Sequence, residues 1–454
     1  MAKELFGTDG IRGLPGKYPL DDATLGQIGI ALGEYVVLHS QAWGAAPRVL
    51  LGRDTRESGP HISDRIARGL STAGAEPVSA GVLTTPGVAW LVSREPFAAG
   101  VVISASHNPY HDNGIKLISP SGMKFPDIVE AELEKSILSR TLRQPLAETS
   151  KPADRSFDLK LDEDYLAGLR QAVLPKAKLA GMKIVLDCAN GAASTLAPKL
   201  FRSLGAIVLA MHDAPDGRNI NAGCGSLHPE GMLRRVIDSG ATLGAAFDGD
   251  ADRAIFATAS GKLVNGDGVL LTAGRYLKAT GGLKGNVIVS TTMANLGLER
   301  ALEKSGLRLV RTSVGDRYVL EEMQRIGANF GGEQSGHILF LDDAPTGDGM
   351  LTALKIASLV SIAGPLDELL ADLKVFPQRI VNVRVRSKPP LEMLPAVAST
   401  LDDAERSLGT AGRVVVRYSG TEPLARVMVE AESEKDVERW TRTLAEAFHS
   451  AIGC

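Results

Sequence analysis

Cysteine is almost missing from this chain: Cys188, Cys224 and Cys454 stand far apart among 454 residues. Three scattered thiols exclude a disulfide framework and the paired Cys-x-x-Cys spacing of zinc modules. They suit a reducing cytoplasm, which is the expected compartment. Aromatic residues make up only 5%. An excess charge of one sign is absent as well. Lys+Arg 50 against Asp+Glu 53 gives a formal charge of -3, so no basic footprint points to nucleic acid. No apolar run reaches the ~18 residues of a membrane span. The best candidate, near 350–370, is broken by Lys355, Pro365 and Asp367. The first residues carry no apolar stretch of signal-peptide length. Walker A, GxGxxG, HExxH and the GxSxG elbow do not occur.

What is present is ordinary for a globular protein: 44% apolar and 23% charged residues, with 49 glycines. At roughly 100 to 200 residues per domain, the length allows about two to four domains. Short β-branched runs alternate with longer Ala/Leu/Glu-rich stretches, the rhythm of α/β units with largely parallel strands. Residues 21–39 read as a helix capped by Asp21 or Asp22. Apolar runs at 47–51, 100–104, 183–187, 242–247 and 286–290 read as buried strands. Several run into polar loops, such as Gly52–Arg56, Ser104–Asn108, Asp187–Gly191 and Asp248–Asp252. Ligands bind at the carboxyl ends of strands in α/β sheets, so these loops come first. Segment 144–160 reads as a linker, and 257–268 and Pro377–Arg379 as further breaks. Beyond about 378, alternating runs and a final helix from about Glu434 to Ala451 read as a small α+β domain. The preceding three units share a rhythm but no obvious sequence repeat.

The most chemical segment is Asp248-Gly249-Asp250-Ala251-Asp252-Arg253. Carboxylates at i, i+2 and i+4 beside a strand end can converge on one hard cation. Held about 4 Å apart near a protein surface, they repel pairwise by roughly 4 kcal/mol. An EF-hand is excluded, since Arg253 stands where Gly is needed and Ala259 where Glu is needed. A solvated acidic turn is the rival reading. In Ser104-Ala105-Ser106-His107-Asn108-Pro109 a Ser beside a His suggests nucleophilic catalysis. Neighbours on a strand point to opposite faces, so a dyad needs a loop; a plain polar turn is the alternative. Three more segments suit anions or sugars, although a Gly/Ser turn beside a surface Arg is the commoner meaning of each taken alone. Arg12 lies between Gly10 and Gly13. Arg417, Ser419, Gly420 and Thr421, with Arg426, offer guanidinium forks, hydroxyls and a glycine amide. Gly332–His337 carries Glu333, Gln334 and Ser335, a set suited to a polyol, although His337 fits a core histidine equally well.

Together and in this order, these segments resemble the α-D-phosphohexomutase superfamily from Gly7 to Glu430. Glu333-Gln334-Ser335, Thr292–Leu298, Val314–Val319 and Thr346–Gly349 look most like its bacterial members that act on glucosamine phosphates. Ala294 and Leu227 depart from that subgroup, which usually has Ser and Thr there. The resemblance implies an α/β fold with four domains around a central cleft: three α/β domains with mixed sheets and a smaller C-terminal α+β domain. The expected limits are 1–155, 156–256, 257–376 and 377–454, carrying in turn a serine loop, a metal loop, a sugar loop and a phosphate loop.

It further implies an isomerase of amino-sugar metabolism, feeding cell-wall precursor synthesis. Glucosamine 6-phosphate and glucosamine 1-phosphate would interconvert through phospho-Ser106 and bound glucosamine 1,6-bisphosphate. One Mg²⁺ would be held by Ser106, Asp248, Asp250 and Asp252. Lys116, His107 and Arg12 would surround the phosphoserine, with Lys116 ahead of His107 for proton transfer. Arg253, Glu333, Ser335 and His337 would meet the sugar, and Arg417, Ser419, Gly420, Thr421 and Arg426 the remote phosphate. The expected partner is a small sugar phosphate, with neither nucleic acid nor membrane; a homodimer is left open. A mutase for neutral hexose phosphates (phosphomannomutase/phosphoglucomutase) is the nearest alternative. A phosphatase would differ by net phosphate release. A non-catalytic binding module would not require Ser106 together with the Asp triad.

Overall fold

The computed structural model describes residues 4–7, 9–139, 160–419 and 422–454. The expected linker at 144–160, apart from Lys160, lies outside the described residues, as do Gly420 and Thr421.

Three mixed sheets and one antiparallel sheet follow each other along the chain. The first holds β1 (Ile11–Gly13), β2 (Arg48–Arg53), β3 (Glu76–Val82), β4 (Ala99–Ile103) and β5 (Asn113–Ile118), in the order β1-β5-β4-β2-β3. The second holds β6 (Lys183–Asp187), β7 (Ile207–Met211), β8 (Leu243–Phe247), β9 (Ala254–Ala257) and β10 (Leu263–Val264), in the order β10-β9-β8-β6-β7. The third holds β11 (Val287–Thr291), β12 (Arg308–Thr312), β13 (Phe330–Gly332) and β14 (Ile338–Phe340), in the order β12-β11-β13-β14. In each, the first long strand pairs in parallel with two later ones, and an antiparallel hairpin closes one side. The shared rhythm is therefore a shared topology. Because packing needs only apolar residues of suitable volume, sequences on one topology can diverge until no repeat is visible.

The strand readings hold because β4 and β8 are buried along their whole length, so they read as continuous apolar runs. Helix Asp22–His39 starts where expected, with Asp21 accepting from Thr24 N–H. The apolar stretch near 350–370 forms helix Gly349–Ala363, buried from Gly349 to Val360. It lies in one core cluster with Leu50 of the first sheet, Phe247 of the second and Phe330 of the third. Lys355 crosses that surface and pairs with Asp343 at 3.0 Å. Among the described residues, no helix is long and apolar enough to cross a membrane.

The last sheet is antiparallel: β15 (Gln378–Arg384), β16 (Gly412–Tyr418) and β17 (Leu424–Ala431), with β17 central. It packs on helices Pro395–Leu408 and Glu434–Ile452 around its own core, including Val397, Val427, Leu444 and Phe448. Strand pairing in this unit begins at Gln378↔Glu430, directly after Pro377. Three α/β units with mixed sheets and a smaller α+β unit are the architecture.

Candidate active site

Two strand ends build the centre. β4 stops at Ile103 and delivers Ser106; β8 stops at Phe247 and delivers Asp248. Ser106 sits in the left-handed region at φ +50°, a conformation its neighbours must hold in place. Arg56 does much of this. Wholly buried, it pairs with Asp54 at 2.9 Å and donates to the carbonyls of Ser106, Asn108 and Pro109. Asn221 donates to the Ser106 and Asn108 carbonyls from the second unit. A Cβ on Gly249 would lie 2.5 Å from the Ser106 carbonyl oxygen, so only glycine lets the two loops meet. Ser104 is internal to the scaffold: its hydroxyl donates to Asp54 at 2.6 Å and accepts from Ser106 N–H.

The Ser106 hydroxyl donates to Asp248 Oδ2 at 2.6 Å. Asp248, Asp250 and Asp252 are all buried, with ligand oxygens within 4.8 Å of one another. Burial, then Asp252 and Asp250, push the Asp248 carboxyl well above the usual range. For Asp252, burial acts upward too, but Lys116, His337 and Arg253 outweigh it and hold its carboxyl well below. Oδ1 of Asp250 and Oδ1 of Asp252 are buried without a hydrogen-bond partner among the described residues. Three oxygen donors, two of them orphaned, fit a hard divalent cation and exclude the bare solvated turn.

Lys116 is buried in the same cluster. Its ammonium lies 3.0 Å from Asp250, 3.3 Å from Asp9 and 3.6 Å from Asp252. Burial favours the neutral amine, yet these carboxylates overcome it and raise the Lys116 pKa well above that of a free lysine. His107 behaves oppositely: burial, then Arg253 and Arg12, lower its pKa, and Nδ1 stands 3.4 Å from Ser106 Oγ. Arg12 reaches this region through Asp9 at 2.5 Å. Thr85 donates to Asp250 Oδ2 at 2.6 Å, docking the acidic loop on the first unit.

The Glu333 loop joins from the third unit. Ala254 N–H donates to the Gly336 carbonyl, and the buried His337 ring lies 3.7 Å from Asp252. Glu333 Oε1 accepts from Gly315 N–H at 3.1 Å, and burial raises its carboxyl. Arg253 keeps a buried Nε without a hydrogen-bond partner among the described residues, while Ser335 is exposed. The fourth segment stands apart. Arg417 faces Arg426 across β16 and β17, and burial, then Arg426, lowers its pKa. Ser419 Oγ accepts from Glu422 N–H, and Arg426 pairs with Glu422 at 2.9 Å. Among the described residues, no hydrogen bond or ion pair links Arg417, Ser419 or Arg426 to the aspartates or the Glu333 loop.

Several contributors escaped the sequence reading: Asp9, Asp54, Arg56, Thr85, Asn221 and Lys124. Lys124 bridges Asp9 at 2.7 Å and Asp316 of the third unit at 2.8 Å. Gly52–Arg56 is visible in the sequence as a strand-end loop. Nothing local indicates that Arg56 turns inward to hold carbonyls fifty residues away.

Four family models match the chain in order. They describe phosphoglucomutase/phosphomannomutase alpha/beta/alpha domain I over residues 3–144, domain II over 163–261, domain III over 265–376 and the C-terminal domain over 380–447. The chain is 52% identical over 454 residues to a phosphoglucosamine mutase of Solibacter usitatus (strain Ellin6076), covering 100% of both chains. It is 52% identical over 457 residues to one of Koribacter versatilis (strain Ellin345), covering 99% of this chain and 98% of the other. In fold it matches a phosphoglucomutase/phosphomannomutase family protein of Burkholderia thailandensis with TM-score 0.79, at 24% identity and full coverage of both chains. It also matches an Aspergillus fumigatus N-acetylphosphoglucosamine mutase, solved with GlcNAc-6P and magnesium, with TM-score 0.66, 19% identity and coverage of 99% and 96%.

Proposed function

The chain belongs to the phosphoglucomutase/phosphomannomutase family, and from that premise we propose that it interconverts glucosamine 6-phosphate and glucosamine 1-phosphate. The reading is supported most by one buried contact. A serine hydroxyl lies 2.6 Å from Asp248 within an aspartate triad, in a chain 52% identical along its length to a phosphoglucosamine mutase.

Phospho-Ser106 transfers its phosphoryl group to the free hydroxyl of the bound monophosphate. The P–Oγ bond breaks, a P–O bond to the sugar forms, and the hydroxyl proton leaves for a nearby base. The resulting glucosamine 1,6-bisphosphate turns over in the cleft and returns its other phosphoryl group to Ser106. Asp248, Asp250, Asp252 and phospho-Ser106 would hold the magnesium ion, which would supply Lewis-acid stabilisation there. Lys116, an ammonium among carboxylates, places positive charge and a proton donor beside the phosphoryl group. His107, disposed to stay neutral, is the better acceptor, so the two divide the proton traffic. Arg12 adds positive charge near His107 and Asp9. Glu333, Ser335, His337 and Arg253 hold the sugar, and Arg417, Ser419, Gly420, Thr421 and Arg426 grip the phosphate that is not reacting.

Glu333 sets the preference. A charge-assisted bond to the protonated 2-amino group contributes about 1.5–3 kcal/mol. That corresponds to roughly 10- to 150-fold in kcat/KM over glucose phosphate. Side-by-side assays of glucosamine, N-acetylglucosamine, glucose and mannose phosphates test this. Equal kcat/KM for glucosamine and glucose phosphates would favour a neutral-hexose mutase instead.

A further inference from the structure

The Glu333 loop is held from beneath by residues that, among the described residues, make no hydrogen bond or ion pair with the aspartate triad or the arginine pair. Helix Gly266–Ala279 begins directly under it. A Cβ on Gly266 would lie 1.9 Å from the Glu333 carbonyl oxygen, and Gly266 N–H donates to the Gln334 carbonyl. The next residue, Asp267, is buried. Its Oδ2 accepts from Gln334 Nε2 at 2.9 Å and from the backbone N–H of Asn295 at 3.1 Å. Oδ1 has no hydrogen-bond partner among the described residues.

Asn295 carries the connection onward. Its side chain pairs with both backbone groups of Phe376, donating to the carbonyl at 3.0 Å and accepting from N–H at 2.9 Å. Phe376 lies two residues before β15, on the segment that leads into the last unit. The neighbouring Leu296 N–H donates to Glu430 of β17 at 2.8 Å, and Arg413 of β16 joins Glu430 to the carbonyls of Thr292 and Ala294. The polar chain thus runs from the Glu333 loop through Asp267 and Asn295 to the sheet that carries Arg417 and Arg426.

We propose that Asp267 is a positioning residue: through Gln334 it fixes the direction of the Glu333 loop, and through Asn295 it ties that loop to the entrance of the arginine-bearing unit. For stability alone the arrangement is a poor choice. A buried carboxyl with no ion pair among the described residues costs more than an apolar side chain of similar size. What it supplies is geometry, because one oxygen receiving two donors from different loops fixes their relative placement. The inference rests on the reading of the Glu333 loop as the sugar-contacting loop.

The test is a double-mutant cycle on the full-length enzyme, with kcat and KM measured for glucosamine 6-phosphate at saturating bisphosphate. Asp267→Ala and Gln334→Ala should each lower kcat/KM by about tenfold, mostly through KM, the scale of one lost charge-assisted hydrogen bond. The double variant should stand at the level of Asp267→Ala alone rather than about a hundredfold below wild type, since Gln334→Ala removes only a contact that Asp267→Ala has already broken. Asp267→Asn keeps a carbonyl acceptor and should stay within about threefold of wild type. Ser106 phosphorylation should be unchanged in all of them.

Wild-type kinetics in Asp267→Ala, or a multiplicative loss in the double variant, would overturn the proposal. Glu333→Ala separates the two levels of the argument. If it is impaired while Asp267→Ala is silent, the positioning role alone fails. If Glu333→Ala is itself silent, the sugar-loop reading fails and takes the inference with it. Should Asp267→Ala not fold, Gln334→Ala decides: a tenfold loss supports the proposal and an unchanged kcat/KM ends it.

Discussion

The hydroxyl of Ser106 and the carboxylate of Asp248 meet at 2.6 Å although they are 142 positions apart and hang from different sheets. Neither is free to move away. Arg56 and Asn221 hold the Ser106 carbonyl, and the absent side chain of Gly249 lets the two loops touch. The contact is thus a property of two docked units rather than of either alone. It also separates Ser106 from Ser104, whose hydroxyl is consumed by Asp54.

Ser106→Ala should therefore abolish mutase activity and shift thermal stability little, because the side chain contributes contacts to chemistry rather than to packing. Phosphopeptide mapping of active enzyme should find phosphate on Ser106. Phosphate on Ser104, with Ser106→Ala still active, would end the assignment.

Asp250→Asn should raise the Mg²⁺ concentration needed for half-maximal rate and lower the maximal rate. Its carboxylate is one of three that crowd together, so a cation stabilises the folded wild type by mass action. Added Mg²⁺ should raise the wild-type melting temperature, and that of the variant less. Chelator should inactivate reversibly; unchanged activity in excess chelator would rule the metal out.

Arg417, an exposed residue, faces Arg426 across two strands, and partial desolvation followed by repulsion from Arg426 lowers the Arg417 pKa. A dianion between them relieves both. If the pair grips the phosphate that is not reacting, Arg417→Ala should raise KM strongly, through the part of the grip equal in ground and transition states, and also lower kcat, through the part realised only on closure. Lys at 417 should rescue in part, keeping charge but losing the fork. Bisphosphate should escape more readily, so the variant should stall and revive on its addition. A wild-type KM would remove the arginine pair from the substrate site.

Asp348 offers a test by pH. Its carboxyl is fully buried, accepts from Tyr165 at 2.8 Å and from Leu351 N–H, and is pushed up to about 6, mainly by burial. Between the unfolded value of about 3.9 and this one, the folded state holds a proton that the unfolded state has released. Stability from this group is therefore undiminished below pH about 4, falls as pH rises to about 6, and is flat above; the total is about 3 kcal/mol. The difference in melting temperature between wild type and Asp348→Asn should change across that window. A constant difference from pH 4 to 7 would refute it.

Much of this protein is determined by the sequence alone, for a physical reason. Strands buried on both faces must be largely apolar, so β4 and β8 declare themselves, as do the apolar stretches of β6 and β11. The loops at their carboxyl ends must carry the polar groups that the strands cannot. Asp248, Asp250 and Asp252 are legible because their spacing is local and like charges rarely gather without cause. The tertiary structure alone decided which partners meet. Lys124 joins Asp9 to Asp316, Arg56 turns back to the Ser106 loop, Thr85 docks Asp250, and Asp267 joins two loops. Each is a single polar side chain whose partner lies tens to hundreds of residues away, and no local pattern encodes such a distance. Whether Lys116 is charged was also beyond the sequence, because its burial and three facing carboxylates come from separate segments that only the folded chain brings together.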